Sequence, residues 1–582
     1  MSTPDGWRAR WARMMNRWHA RRACRFNVPT PIVLRTEPRS IGSFARGRQL
    51  CSGNLQFAGH LIEADDAMIW DLDPPGETFI DEIHASAWLD DLAAAGDLAA
   101  RELAHRWVWG WIARYGRGKG AGWAPDLAGR RVIRWLHHRD FLLRGRPEAE
   151  QAEFTLTLAR QVRFLSRRWY TAAPGLSRFE ALGAVVLGGL MLKDMAELAN
   201  AALGALEIEC ARRIDDQGGL PTRSPEELLD VLSLLTWVTM TLDDAHRPQG
   251  PELRRAIERI APTLRTLRHA DGGLARFHGG GRGLDGRLDL ALAASGVKKR
   301  QADGLAMGFA RLSAARTSVI VDAAPPPQGD ASLNAHASTL AFELTSGRRP
   351  LIVNCGAGGT FGAEWRRAGR ATPSHSTLTL DGYSSARLGR MGRIGASRLE
   401  MLEDTPQKVP AEVTHPDGAF RLEAAHDGYL PTHGLTHART LDLSADGRGM
   451  TGEDLLIALS TSDKRSFDRQ MDATDHAGVP LVIRFHLHPE VDAEIDLGGS
   501  AVSMVLRSSE VWVFRHDDAA KLTLEPSVYL EKGRLRPRAT KQIVLSGHAM
   551  GYATRIRWSL TKAQETASAI RDLVRDELEL TR

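Results

Sequence analysis

Two histidines and an asparagine, His336, His375 and Asn354, fall in one stretch of the chain, NAHASTLAFELTSGRRPLIVNCGAGGTFGAEWRRAGRATPSHSTLTLDGY, running from Asn334 to Tyr383. Short alternating apolar runs around them predict adjacent strands, with the three residues on or beside those strands. Imidazole nitrogens and an oxygen ligand converging from several strands form a donor set that suits Zn²⁺. Histidines of a β domain are more often core or surface residues than ligands, so spacing alone leaves both readings open.

The elements that would position these residues differ between the two halves of the chain. From about residue 80 to 270, apolar residues recur at three- and four-residue spacing. They predict helices over Trp88–Arg114, Leu127–Leu143, Glu150–Trp169, Arg178–Lys193, Leu198–Ile214, Pro225–Leu242 and Pro251–Leu267. Short Gly-, Pro- and Asp-bearing loops join them, the pattern of antiparallel helix pairs in a bundle, a solenoid or an α/α toroid. No fixed-period repeat is visible, which weighs against a regular solenoid. From about residue 310 the chain becomes short alternating runs separated by Gly, Asp or Asn turns, the pattern of an antiparallel β-sandwich. The stretch DGGLARFHGGGRGLDG reads as the linker between the halves. Its formal G-x-G-x-x-G lacks a preceding strand and a surrounding βαβ unit, so it is not read as a dinucleotide site. The expected organisation is an N-terminal extension over 1–79, a toroid over 80–300 and a sandwich over 301–582.

Composition narrows the function classes. Hydrophobic residues are 43% and charged residues 25% of the 582, which excludes a disordered or fibrous chain. The net charge of +5 comes almost wholly from arginine and is spread along the sequence, so no nucleic-acid partner is expected. The four cysteines are far apart and form no C-x-x-C pair. No segment reaches the apolar length of a membrane span, about 18 residues. The N-terminal WRARWARMMNRWHARRACRF lacks the apolar core of a secretory signal, which points to a cytoplasmic or membrane-peripheral place. As a helix it gathers Trp7, Trp11 and Trp18 near one face among arginines, a pattern that suits either docking on its own domain or peripheral contact with an anionic membrane.

The second half resembles the heparinase II/III-like domain of polysaccharide lyases. That family carries an H-x-H-x-D strand, a strand ending D-x-G, and an A-H-N-T strand followed by D-G. Here the segments read Asn334-Ala335-His336-Ala337-Ser338, Asn354-Cys355-Gly356 and Ser374-His375-Ser376-Thr377 with Asp381-Gly382. The segment AHDGYLPTHGLTHARTLDL, with His426, Tyr429, His437 and Arg439, resembles the family's H-D-G-Y and H-R strand pair. The resemblance implies a toroid followed by a sandwich, and it maps the family's metal ligands onto His336, Asn354 and His375. It also implies an acidic, uronate-containing polysaccharide as partner, a cleft between the domains, and a periplasmic or envelope location.

Several positions depart from the family pattern. Asn354 replaces the metal aspartate and Asn334 replaces the other histidine of H-x-H. Ser177 and Arg178 stand where the toroid's Asn-His pair is expected, and Glu227 stands where the catalytic tyrosine is expected. Uronate β-elimination requires neutralisation of the substrate carboxylate, a base for the C5 proton and an acid for the leaving oxygen. The residues left for those roles are Arg178 or Arg370, His375, and Tyr383 or Tyr429. Glu227 and Tyr429 are further expected substrate contacts. Among Trp109, Trp111, Trp123 and Trp135, the loop residue Trp123 is the one expected to be exposed and to stack on a sugar. The expected function is thus β-elimination of a uronate glycan, and the alternative is a catalytically degenerate glycan-binding or envelope-polysaccharide assembly protein. A glycoside hydrolase would instead need two carboxylates, such as Glu180 and Glu227, roughly 5–9.5 Å apart.

Overall fold

In the computed structural model, residues 7–37, 41–65, 67–299, 304–394 and 397–563 are described. The N-terminal half is helical: α1 (Trp7–Ala23), α2 (Phe44–Cys51), α3 (Glu77–Ala85), α4 (Trp88–Ala95), α5 (Leu98–Tyr115), α6 (Pro125–His137), α7 (Arg139–Leu143), α8 (Glu148–Arg168), α9 (Leu176–Met191), α10 (Ala196–Arg213), α11 (Pro225–Asp244), α12 (Pro251–Thr266) and α13 (Arg287–Ala294). The apolar run expected as one helix over 88–114 is two. Gly96 ends α4 at φ 68°, and the Asp97 carboxylate starts α5 by accepting the Ala100 N–H at 2.8 Å. Helix α11 begins on a Ser224 cap with Pro225 in its first turn, where a missing N–H costs nothing.

Helix α9 carries the chain's longest apolar run and is buried almost all round. It packs against α6, α8, α10 and α11. The α6 contact is close because Gly129 has no side chain: a Cβ there would sit 2.8 Å from the Ala181 Cα and backbone N. The helical core reaches back to Ala20, Leu55, Phe57 and Trp70, and forward to Phe309, Ile320 and Ala341 of the second half.

The C-terminal half is a sandwich of two eight-stranded sheets whose strand pairings are antiparallel. One runs in spatial order Ala411–Thr414, Phe420–His426, Thr436–Leu443, Gly449–Ile457, Ala553–Lys562, Val511–His516, Ala501–Val505, Asp492–Asp496. The other runs Lys521–Tyr529, Arg538–Ala549, Val479–Leu487, Arg349–Val353, Phe342–Ser346, Thr317–Asp322, Phe309–Ala314, with Leu378–Leu380 paired to Val479–Leu487. Trp558 joins the sheets, its ring stacked on Phe342 at 5.7 Å and edge-on to Phe485 at 4.7 Å. Three short helices decorate it: α14 (Ala363–Arg370), α15 (Leu430–His433) and α16 (Thr461–Ala473).

Buried polar struts tie the halves together. Arg223 donates to the Met307, Gly308, Ala324 and Pro325 carbonyls and to Asp322 Oδ1 at 2.6 Å. Glu343 accepts the Arg276 backbone N–H at 3.0 Å, with the His269 ring 3.3 Å away. The segment read as a linker therefore forms part of the seam.

Candidate functional site: a buried histidine pair beside an interdomain cleft

His336, just after the turn Gly329–Asn334, and His375, at the end of the turn Thr372–Ser374, meet in the loops ahead of the strands Phe342–Ser346 and Leu378–Leu380. His336 Nδ1 lies 3.0 Å from His375 Nε2, and both side chains are buried. Their partners fix every proton. The Ala371 carbonyl, 2.9 Å from His375 Nδ1, only accepts, so Nδ1 carries hydrogen and Nε2 is bare. The Gly279 N–H, 3.1 Å from His336 Nε2, only donates, so that nitrogen is bare and His336 Nδ1 carries hydrogen. The hydrogen of His336 thus points into the lone pair of His375, and all four ring nitrogens are engaged. Burial lowers the His375 pKa to about 4 and holds His336 well below the ordinary imidazole value. Asn354, just past the strand Arg349–Val353, accepts the N–H of Ser376, the residue after His375, on its Oδ1 at 3.0 Å.

The second histidine segment follows the same logic. The Gly428 N–H donates to His426 Nδ1 at 3.1 Å, His426 Nε2 donates to His437 Nδ1 at 3.2 Å, and His437 Nε2 donates to Asp454 at 2.7 Å. Asp454 also accepts from Arg439 at 2.8 Å and Trp558 at 3.0 Å. Arg439 spans to the Leu340 and Ser376 carbonyls, tying the loop that carries His375 to the opposite sheet. Tyr429, expected at substrate, is instead wholly buried, its hydroxyl donating to the Leu378 carbonyl at 2.8 Å.

The remaining expected residues scatter. Arg370, at the end of α14, is buried and spends its guanidinium on the Ala335, Ser332 and Glu400 carbonyls at 2.7, 2.8 and 2.7 Å. Burial lowers its pKa to about 9. Arg178 braces the start of α9 by donating to the Ala172 carbonyl at 3.0 Å. Glu227 accepts the Leu176 N–H at the same helix start, and burial raises its pKa. Tyr383 is 51% exposed and stands edge-on to His433, on the sandwich surface. Trp123, expected to be exposed, is 2% exposed: its indole N–H donates to the Tyr115 carbonyl at 2.8 Å and its ring packs on Phe164. The loop composition suggested exposure, but the ring turns inward between Trp111 of α5 and Phe164 of α8.

A cleft of about 550 Å³ lies between the helical half and the sandwich. On its helical side Arg46 pairs with Asp91 at 3.2 Å, Arg134 with Asp90 at 3.0 Å, and Glu180 with Arg130 at 2.7 Å. At the seam Arg287 pairs with Asp230 at 2.5 Å and Arg282 with Asp285 at 3.1 Å. On the sandwich side Arg534 pairs with Glu531 at 3.2 Å, Arg276 faces Glu343 at 3.6 Å, and Lys532 pairs with Glu226. Burial pushes Asp91 up to about 6. The cleft's aromatics are Tyr529 and Trp237, the latter covered by the His137 ring with centroids 3.6 Å apart. Sequence reading missed Trp237, since a tryptophan inside an apolar helix looks like core. It missed Arg276 and the 280–287 wall because glycine-rich chain reads as linker.

The heparinase II/III-like, C-terminal family matches residues 296–559. FtsZ-localized protein C of Caulobacter vibrioides (strain NA1000 / CB15N) is 32% identical over 537 residues, covering 91% of this chain and 89% of that protein. The chain belongs to the heparinase II/III-like family. Among solved structures, heparinase III superposes with a TM-score of 0.66 at 12% identity, covering 95% of this chain and 89% of that one. Heparan sulfate lyase HepC from Pedobacter heparinus gives 0.52 at 13% identity, covering 95% and 88%. The toroid-plus-sandwich architecture is thus that of the heparinases.

The zinc expected at His336, Asn354 and His375 is not matched by the residues present. Zinc needs bare nitrogens aimed at one point about 2.0–2.1 Å away. Here the two imidazoles bond each other, the third donor is neutral Asn354, and its oxygen already holds a backbone N–H. Among the described residues no group of three or more His, Cys, Asp or Glu side chains is arranged to hold a metal ion.

Proposed function

We propose that this chain is a non-eliminating member of the heparinase II/III-like family, a descendant that keeps the lyase architecture as a binding scaffold. The observation that carries this reading is the closed hydrogen-bond circuit of His336 and His375. A base for a C5 proton needs an accessible lone pair and a pKa near the working pH. His375 has its lone pair occupied by a neighbour's N–H, and its pKa lies near 4. Arg370 is equally committed to carbonyls, which removes a group that would neutralise a uronate carboxylate. The test is to incubate purified protein with a panel of uronate polysaccharides and follow the ultraviolet absorbance of unsaturated product. No growth above a boiled control is expected. Growth that His375→Ala abolishes would overturn the reading.

A second reading concerns where the scaffold works. Helix α1 exposes Trp7, Trp11, Met14 and Trp18 at 74, 57, 50 and 50%, flanked by exposed Arg10, Arg13, Arg17 and Arg21. Its other side, Ala20 and Ala23, enters the helical core. An aromatic stripe edged with arginine suits the headgroup layer of an anionic membrane. No helix among the described residues is long and apolar enough to cross a membrane. Given the relative whose name places it with FtsZ, we infer a peripheral role at the division site. Co-sedimentation with anionic vesicles, lost on Trp7→Glu plus Trp11→Glu, and co-localisation of a fluorescent fusion with FtsZ are expected. Binding that ignores the substitutions would sink the membrane reading.

A further inference from the structure

The cleft's charge arrangement carries a statement about its ligand, one that rests on the non-eliminating reading above and deepens it. We propose that the cleft takes an uncharged, hydroxyl-rich oligosaccharide rather than a polyanion.

Its volume of about 550 Å³ lies within the usual range for small-ligand sites, roughly 300–1,000 Å³. A uronate or sulfate requires cations with no partner of their own, because a buried charge without a counter-ion pays its full desolvation. Here each lining arginine and lysine already faces a carboxylate, from Arg46 with Asp91 to Lys532 with Glu226. The loosest pair, Arg276 with Glu343 at 3.6 Å, is backed by the Tyr529 ring. Among the described residues, eight carboxylates line the cleft against seven arginines and lysines, so the cleft holds no excess of positive charge.

Paired charges are poor hosts for ions and good hosts for hydroxyls. Each carboxylate keeps lone pairs beyond its ion pair, and each guanidinium keeps N–H groups. A sugar hydroxyl donates to the first and accepts from the second at once, with no net charge buried. Tyr529, Ile133, Leu234 and Leu284 supply the apolar part of the lining, with Trp237 buried beneath the stacked His137 ring. The His137 ring nitrogens are buried and have no hydrogen-bond partner among the described residues, and burial holds this imidazole far below its ordinary pKa, in the neutral form. A small shift of that ring turns one donor and one acceptor toward a neutral ligand.

The test is calorimetric titration of the full chain with four tetrasaccharides: two neutral, of glucose and of N-acetylglucosamine, one cationic, of glucosamine, and one uronate-containing. At least one neutral probe is expected to bind at least tenfold more tightly than the uronate probe. Ser233→Trp fills the cleft from α11, where the native hydroxyl bonds only the Leu229 carbonyl of its own helix, and should weaken neutral binding at least tenfold with an unchanged melting temperature. If that variant does not fold, Leu284→Trp, at a half-exposed lining position, serves instead. Asp230→Asn releases Arg287 and should raise uronate affinity about fivefold, an effect that a structural role alone would not produce. Tighter binding of the uronate or glucosamine probe, no binding of either neutral probe, or neutral binding indifferent to the cleft-filling variant would overturn the proposal. Unsaturated product from the uronate probe would instead overturn the non-eliminating reading, and is read separately.

Discussion

The hydrogen on His336 Nδ1 has one place to go, and that place is His375 Nε2. Removing either ring leaves a buried partner unsatisfied, which costs about 1–3 kcal/mol beyond the lost packing. His375→Ala should therefore lower the urea midpoint by the equivalent of about 2–4 kcal/mol, measured by circular dichroism. Chelator should leave the wild-type melting temperature unchanged, since no zinc is expected to hold the pair; a chelator-induced drop abolished in His336→Ala would contradict that. The letters of the motif were readable in the sequence, but their role was not. The groups that decide it are main-chain atoms, the Gly279 N–H from across the seam and the Ala371 carbonyl from a turn, and main-chain partners leave no signature in side-chain identity. Arg370 misled for the same reason: an arginine near a glycan family's cleft suggests an anion, and here it serves three carbonyls.

Helices α6 and α9 show what the elements contribute. Their apolar periodicity was plain in the sequence, and α9 follows it closely, whereas the run expected as one helix over Leu127–Leu143 divides at His138 into α6 and α7. The break between α4 and α5 was signalled by Gly96-Asp97 yet passed over, because apolar spacing continues through it. Helix α16 escaped because it is almost wholly polar; its signature is the Ser460–Asp463 capping box, not a stripe. Close packing of α6 on α9 gives a test at this scale. Gly129→Val gains only a few tenths of a kcal/mol in helix propensity, while overpacking against the Ala181 backbone costs about 1–3 kcal/mol. The variant should be destabilised by about 2 kcal/mol in chemical denaturation, whereas a stabilised variant would mean the helices separate freely.

Across the whole molecule, buried neutral histidines set the pH response. Burial lowers the pKa of His375 to about 4 and of His486 to about 3, and His336 and His426 are held well below the ordinary value near 6.5. Between pH 6.5 and 4 the unfolded chain takes up protons that the folded chain refuses. Stability is therefore full above about pH 6.5 and falls as pH drops, by about 3 kcal/mol at pH 4 from His375 alone. Urea midpoints at pH 7.5, 6 and 5 should decline in that order, and a flat profile would show the rings titrating normally. The two-domain plan was legible from the change of period near residue 300, but the welding of the halves was not, since Arg223 and Asp322 meet only in space. Topology adds a consequence for synthesis. Ala553–Lys562 lies inside its sheet, between Gly449–Ile457 and Val511–His516, so the last strand among the described residues fills a gap near the middle. While the ribosome still holds that segment, the helical half can collapse, but the sheet waits in two unjoined pieces with Phe342 and Phe485 lacking their Trp558 lid. A nascent chain stalled before residue 553 is thus sticky where the closed sandwich is sealed, with aromatic surface open to misplaced partners until that strand arrives.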